Sequence, residues 1–150
     1  MIASYLVRRS EEREDDVPGR WIETFEGDRQ RQLYDLYSKE WWTKGRKFED
    51  VMRMVKHSSL AVGLCSDKDE LIAFARVLTD YTFKAMIFDV IVRSDFRGRN
   101  LGRTIVDRIV AHETLAEVRS FELYCPDNLV PFYHKLGFAK GTANLLFRER

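Results

Sequence analysis

Apolar positions recur along this chain with two different periods, and the switch between them predicts the order of its elements. Leu33, Leu36, Tyr37 and Trp41 recur at helical spacing, as do Phe48, Val51, Met52 and Val55. They predict two short helices joined by a loop around Thr43 to Arg46. Three β-rich runs follow, about Leu60–Cys65, Leu71–Leu78 and Ala85–Val92. Asp67-Lys68-Asp69 and Asp80-Tyr81-Thr82 separate them as turns, so this part predicts an antiparallel meander. Helical spacing returns with Leu101, Ile105, Val106, Ile109 and Val110 as one apolar stripe, backed by Arg103, Asp107, Arg108 and His112. A strand over Val118–Cys125 comes next. Asn128 is then placed to cap a helix burying Leu129, Phe132, Tyr133 and Leu136, with Pro131 tolerated in its first turn and Gly137 as its stop. Asn144–Arg148 predicts a last strand. The charged stretch Arg8 to Arg20 predicts an exposed loop after a short N-terminal strand.

The order is two helices, a meander, then β-α-β-α-β. A strand–helix–strand crossover makes the strand ending at Val92 parallel to the one ending at Cys125. The predicted fold is therefore α/β (α+β), with a mixed, mostly antiparallel central sheet. No internal repeat and no low-complexity tract interrupts it. At 150 residues the chain predicts one domain, 1–150, with room for a substantial core.

Chemistry concentrates in Val90-Ile-Val-Arg-Ser-Asp-Phe-Arg-Gly-Arg-Asn-Leu-Gly102, where a β-branched strand enters a glycine-containing turn that opens directly into a helix. Such a junction aims several backbone N–H groups and the positive end of a helix dipole at one place, a ready anion site. Arg97, Arg99 and Arg103 flank it, which suits a polyvalent anion such as a pyrophosphate. A dinucleotide fold is excluded by the missing helix–strand units and GxGxxG, and a P-loop by the missing Gly-Lys-Ser/Thr. The charge balance, 25 basic against 24 acidic side chains for a net +1, gives no reason to expect nucleic acid or a membrane as partner. Only Cys65 and Cys125 are present, far apart, which suits a reducing cytoplasm. His57, His112 and His134 are scattered, so no metal is expected.

Arg97-Gly-Arg-Asn-Leu-Gly102 closely resembles the Arg/Gln-x-x-Gly-x-Gly signature of the GNAT acetyltransferase superfamily, whose turn cradles the pyrophosphate of acetyl-CoA. Asn128-Leu-Val-Pro-Phe-Tyr-His-Lys-Leu-Gly-Phe138 resembles the same family's C-terminal signature. Both stand in the family's order, with one helix and one strand between them. The resemblance covers Leu60 to Phe147 and implies a parallel strand pair splayed at the cofactor cleft. It implies further that the backbone of Gly98, Arg99, Asn100, Leu101, Gly102 and Arg103, beside Arg97, holds the pyrophosphate. The Val90, Ile91 and Val92 backbone would pair with the pantetheine arm as an added strand does. The Val90 N–H would serve as oxyanion donor, and Asn128 and Lys135 would reach the far wall and phosphates of acetyl-CoA. Tyr133 would be the general acid for the leaving thiolate.

Two positions depart from the family pattern. The central glycine of the turn is Asn100, a residue that tolerates the left-handed region better than other non-glycines. Where family members carry a base on the preceding strand, this chain has Met86 and Phe88, neither of which takes a proton. Asp89 is ionisable but alternates to the opposite face unless a bulge redirects it, and reads as a structural carboxylate capping or bracing neighbouring backbone. Asp80, Glu122 or a water chain are other candidates. Cys125, beside the thioester, has no base or cation placed by sequence to activate it for a ping-pong route. Trp41 and Trp42 fall on the acceptor-side loop, with Tyr81 and Phe83 on another, and adjacent tryptophans cannot share one face.

The expected activity is transfer of acetyl from acetyl-CoA to a primary amine, on a small molecule or a peptide, by direct attack. A different acyl group or a hydroxyl acceptor, and a CoA-binding regulatory module without turnover, are the alternatives. A homodimer stays open, and the acceptor is not named by the sequence.

Overall fold

Leu60–Cys65 is buried along its whole length, which follows from its place inside the sheet. In the computed structural model, which describes residues 19–150, it is β2 of a five-stranded sheet in the order β1-β2-β3-β4-β5. The others are β1 (Arg20–Ile22), β3 (Leu71–Thr79), β4 (Lys84–Val92) and β5 (Ser120–Leu123). All neighbours run antiparallel except β4 and β5, which are parallel. The mixed sheet and the meander agree with the sequence reading. The N-terminal strand expected before Arg8 lies outside the described residues, and β1, which begins at the last residue of the expected Arg8 to Arg20 loop, pairs with β2 on the side away from β3.

Helices cover both faces. On one side, α1 (Asp28–Ser38) and α2 (Phe48–Lys56) bury Leu33, Leu36, Tyr37 and Val51 against Phe74 and Ile91. On the other, α3 (Leu101–Val110) buries Leu101, Ile105, Val106 and Ile109 against Val62, Ile72, Ala75 and Ile87. Each fully buried aliphatic side chain of this kind contributes roughly 1.5–3 kcal/mol. The predicted stripe was one residue too long, since Val110 is exposed at the end of α3. Likewise α1 stops before Trp41, which sits on a separate 3₁₀ turn (Trp41–Thr43) and points to solvent. Thr43 closes that turn by donating its hydroxyl to the carbonyls of Tyr37 and Glu40.

Three expectations near the C-terminus are corrected. The strand β5 is four residues long, not the eight of Val118–Cys125. Asn128 does not cap a helix: Asp127–Leu129 forms a 3₁₀ turn, and α4 (Val130–His134) starts after it with Leu129 as its half-exposed N-terminal flank. Pro131 in the first turn has no N–H to offer a cap, so an upstream Asn gains little there. Gly137 does terminate the helix. At φ 88° it lets its own N–H reach the His134 carbonyl (3.1 Å) and the Phe138 N–H reach that of Tyr133 (3.1 Å). The predicted last strand over 144–148 is not formed. Leu145, Leu146 and Phe147 are adjacent rather than alternating, and all three are exposed.

Candidate active site

Pairing between β4 and β5 runs from Lys84↔Ser120 to Ile87↔Leu123 and stops there. Beyond it, Phe88 to Val92 and Tyr124 to Cys125 have no ladder between them, so the parallel pair opens toward its C-terminal end. Ligands in sheets with parallel strands bind at such an opening. The turn after β4 passes through a 3₁₀ segment (Ser94–Phe96) and enters α3 at the mouth of this splay.

Gly98 has φ 78° and Asn100 φ 65°, so the turn twice adopts the left-handed backbone. Asn100 is the residue flanking α3, and its side chain caps nothing. Among the described residues, no partner accepts a hydrogen bond from the N–H of Gly98, Arg99, Asn100, Leu101, Gly102 or Arg103; the first amide used is that of Thr104, on the Asn100 carbonyl at 3.1 Å. Six consecutive amides without a described acceptor thus lie at the positive end of a ten-residue helix, which favours a bound anion. A Cβ at Gly98 would meet open space, so room exists beside the turn. Gly102 faces the other way: a Cβ there would come within 3.3 Å of the Phe132 ring and 4.0 Å of Val92, so its bareness lets α3 lie close to β4 and α4. These features fit a pyrophosphate.

The arginines divide their tasks. The Arg97 side chain turns back, donating to the Val92 carbonyl (3.0 Å) and pairing with Glu40 (2.6 Å), which ties the turn to the Trp41 loop rather than to an anion. Arg99 lies over the Phe96 ring at 4.8 Å, and Arg103 reaches Asp107 at 3.3 Å across an exposed helix turn, a weak pair.

The strand β4 carries a bulge at the base of the splay. Phe88 pairs with Arg76 and Ile91 with Phe74, so Ala75 faces both Asp89 and Val90. Asp89 has φ 56°, a region costing about 1–3 kcal/mol for a non-glycine residue unless its surroundings hold it there. The extra residue reverses the alternation. Ala85, Ile87, Val90 and Val92 pack beneath α3, whereas Ile91 packs beneath α1. Asp89 therefore lies on the α1 side with Met86 and Phe88, not on the opposite face as strict alternation predicts. Its Oδ2 accepts from the Tyr37 hydroxyl (2.6 Å) and from Arg76 Nε (2.6 Å), in a pair whose side chains are 7% and 11% exposed. The carboxylate is structural, but its partners are the Tyr37 and Arg76 side chains rather than the neighbouring backbone that the sequence predicts. Burial first, then the negative charge of Asp89, raises the Tyr37 phenol far above its ordinary range, so it stays a donor.

Tyr133 is buried on α4, edge-on to Phe132 (5.0 Å) and Phe138 (5.9 Å). No described residue hydrogen-bonds its hydroxyl. Burial pushes its pKa up to about 12, with the nearby Cys125 adding to the shift. The phenol is thus protonated at neutral pH and has a proton to give. The Cys125 thiol is also raised, by burial and by the charge of Asp127, which disfavours a nucleophilic thiolate. The side chains of Asn128 and Lys135 are exposed around α4 and make no described hydrogen bond, while the Lys135 N–H closes the helix on the Pro131 carbonyl (3.4 Å).

The other candidate bases are engaged. Asp80 accepts from the amides of Thr82 (2.9 Å), Phe83 (2.8 Å) and Lys84 (3.1 Å), and these bonds hold its carboxyl below the usual range. Glu122 pairs with Lys84 at 2.6 Å. Around Asp89 lies an aromatic surround that sequence spacing did not reveal: Phe88 is edge-on to the exposed Tyr124 (6.1 Å) under the Arg76 guanidinium, and the exposed Trp42 is edge-on to Tyr37 (6.3 Å). Among the described residues, no group of His, Cys, Asp or Glu could hold a metal ion, and no helix is long and apolar enough to cross a membrane.

This geometry agrees with comparisons to known proteins. The model of the acetyltransferase (GNAT) family matches residues 20–138. An uncharacterized N-acetyltransferase (ycf52) of Pyropia yezoensis is 34% identical over 112 residues, covering 73% of this chain and 64% of that protein. The chloroplastic serotonin N-acetyltransferase 2 of Oryza sativa is 35% identical over 97 residues, 63% of this chain and 48% of its own length. The chain thus spans about half to two thirds of these relatives. A crystal structure from Deinococcus radiodurans R1, provisionally assigned as an acetyltransferase, superposes with TM-score 0.73 at 26% identity over 86% of this chain and 87% of that one. An aminoglycoside 6′-N-acetyltransferase complexed with coenzyme A shares the fold, with TM-score 0.66 at 19% identity, over 79% of this chain and 83% of that one. The chain belongs to the GNAT acetyltransferase family.

Proposed function

We propose that this GNAT-family chain transfers the acetyl group of acetyl-CoA to a primary amine by direct attack, both substrates meeting where β4 and β5 part. The observation that carries the reading is the run of six amides without a described acceptor, from Gly98 to Arg103 at the start of α3, next to that opening. They would hold the pyrophosphate, while Val90, Ile91 and Val92 offer a strand edge to the pantetheine arm. Asn128 and Lys135 are free to contact the far wall and phosphates. As the amine nitrogen bonds to the thioester carbon, the Val90 N–H would steady the oxyanion, and collapse would break the C–S bond. The Tyr133 hydroxyl would give its proton to the departing sulfur and be reprotonated from water, which takes up the amine's proton because Asp80, Asp89 and Glu122 are all engaged.

That engagement of every nearby carboxylate also favours a second reading, a CoA-binding module without turnover. A screen of primary amines with detection of released thiol separates the two. The whole 1–150 chain acts as one domain in either reading, with no metal, and a homodimer is not required. An arylalkylamine such as serotonin heads the screen, because the rice relative is named for it and rings line the acceptor side at Trp42, Phe88 and Tyr124. The reducing cytoplasm suits the two free cysteines; the chloroplastic relative makes a plastid the alternative. Thiol release with some amine, abolished without acetyl-CoA, supports the enzyme. Tight CoA binding with no release for any amine overturns it.

A further inference from the structure

We propose that Asp89 is a positioning residue: its buried carboxylate, held by Arg76 and Tyr37, locks the β4 bulge in the conformation that presents the Val90 N–H to the substrate carbonyl. The proposal rests on the reading of Val90 as oxyanion donor. A bulge alone does not specify where its amides point, since the extra residue has several conformations available. Here Asp89 stands in the left-handed region at φ 56°, immediately before Val90, so its ψ sets the direction of the Val90 N–H. Asp tolerates that region better than most residues but does not choose it unaided. The choice is made by the side chain. Oδ2 takes a charge-assisted bond from Arg76 Nε on β3 and another from the Tyr37 hydroxyl on α1, both 2.6 Å.

The anchors are themselves fixed. Arg76 is sandwiched against the Phe88 ring at 4.6 Å, one residue before the bulge. Tyr37 is fully buried, with its ring edge-on to Phe74 at 5.6 Å, and Thr43 holds its carbonyl. Strand, helix and bulge are thereby joined through one carboxylate. Its Oδ2 is committed to a guanidinium and a phenol, which is the geometry of an anchor rather than of a base open to the amine. The Trp42 ring against Tyr37 extends the same linkage to the acceptor-side loop.

The test combines turnover with infrared difference spectra of bound acetyl-CoA carrying ¹³C in its carbonyl, recorded without amine. In the wild type the N–H of Val90 should draw the carbonyl stretch to lower wavenumber than in solution. Asp89→Ala, which removes the anchor and disfavours positive φ, should return the stretch toward the solution value and lower kcat by about tenfold to a hundredfold, with KM for acetyl-CoA little changed. Asp89→Asn, able to keep the bonds and the backbone, should retain most of the shift and lose less than about tenfold in kcat. Tyr37→Phe removes one bond, keeps the ring and guards against an Ala variant that fails to fold; it should lose about threefold to tenfold with a partial return of the stretch.

An Asp89→Ala or Tyr37→Phe protein with full shift and full kcat overturns the proposal. So does an Asn variant as impaired as Ala that also loses the acid limb of its pH–rate profile, which would make Asp89 the base. A wild-type carbonyl that binds but shows no shift overturns the oxyanion reading itself, and the anchor with it.

Discussion

Tyr133→Phe separates packing from chemistry at the residue on which the proposed leaving-group step depends. The ring is buried and edge-on to Phe132 and Phe138, and Phe preserves both contacts. The hydroxyl makes no described hydrogen bond, so deleting it forfeits none. The hydroxyl is not among the fully buried unpartnered side-chain atoms, so its removal frees no trapped polar group and should change stability by less than about 1 kcal/mol. Stability and acetyl-CoA affinity should therefore hold. The rate should not: a positioned acid contributes ~10²–10⁴-fold, which is about 3–5 kcal/mol of barrier. The loss should appear in kcat with an unchanged KM, as for an interaction made in the transition state. Thermal melts and thiol release on the same preparations measure both sides. The folded pKa, near 12, lies above the phenol's ordinary 10. Its contribution to stability is thus complete below pH ~10 and lost between about 10 and 12, a loss the Phe variant should lack. A Phe variant with wild-type kcat, or one clearly destabilised at neutral pH, refutes the reasoning.

Asn100→Gly should be neutral or up to about 1 kcal/mol stabilising in chemical denaturation, and Asn100→Val should cost ~1–3 kcal/mol and weaken acetyl-CoA binding, because φ is 65° there; a tolerated Val would refute the turn's role. Cys125→Ala should keep kcat within about threefold, since neither base nor cation stabilises a Cys125 thiolate; trapping of an acetyl group on Cys125, with loss of turnover in the Ala variant, would replace direct attack by a two-step route.

Most of the sheet and the turn between β4 and α3 were legible because their signals are local. Leu60–Cys65 is apolar throughout, as a strand between two helix layers must be, and the β4–turn–α3 junction announces itself by Gly98, Asn100 and the stripe that begins at Leu101. What escaped depends on distant partners. The bulge at Asp89 leaves the composition of β4 unremarkable, yet one extra residue moves Asp89 to the α1 face, where Tyr37 and Arg76 wait 52 and 13 positions away. The pairing of Arg97 with Glu40 is hidden in the same way, because the two are 57 positions apart. The strand expected over 144–148 rested on apolar content without alternation, and the cap at Asn128 ignored the 3₁₀ turn that Asp127–Leu129 forms ahead of Pro131.

The account stands on acetyl-CoA seated with its pyrophosphate on the Gly98–Arg103 turn, and calorimetric titration of acetyl-CoA into the wild type and Gly102→Asp tests this most directly. The new Cβ, 3.3 Å from the Phe132 ring, would push the start of α3 and its free amides out of place, and the carboxylate would add a negative charge at that end of the helix. The account predicts saturable binding by the wild type and at least a tenfold weaker, or undetectable, response from the variant, about 1.4 kcal/mol or more, with circular dichroism unchanged. Equal affinity in the two proteins, or no binding by the wild type, would contradict it.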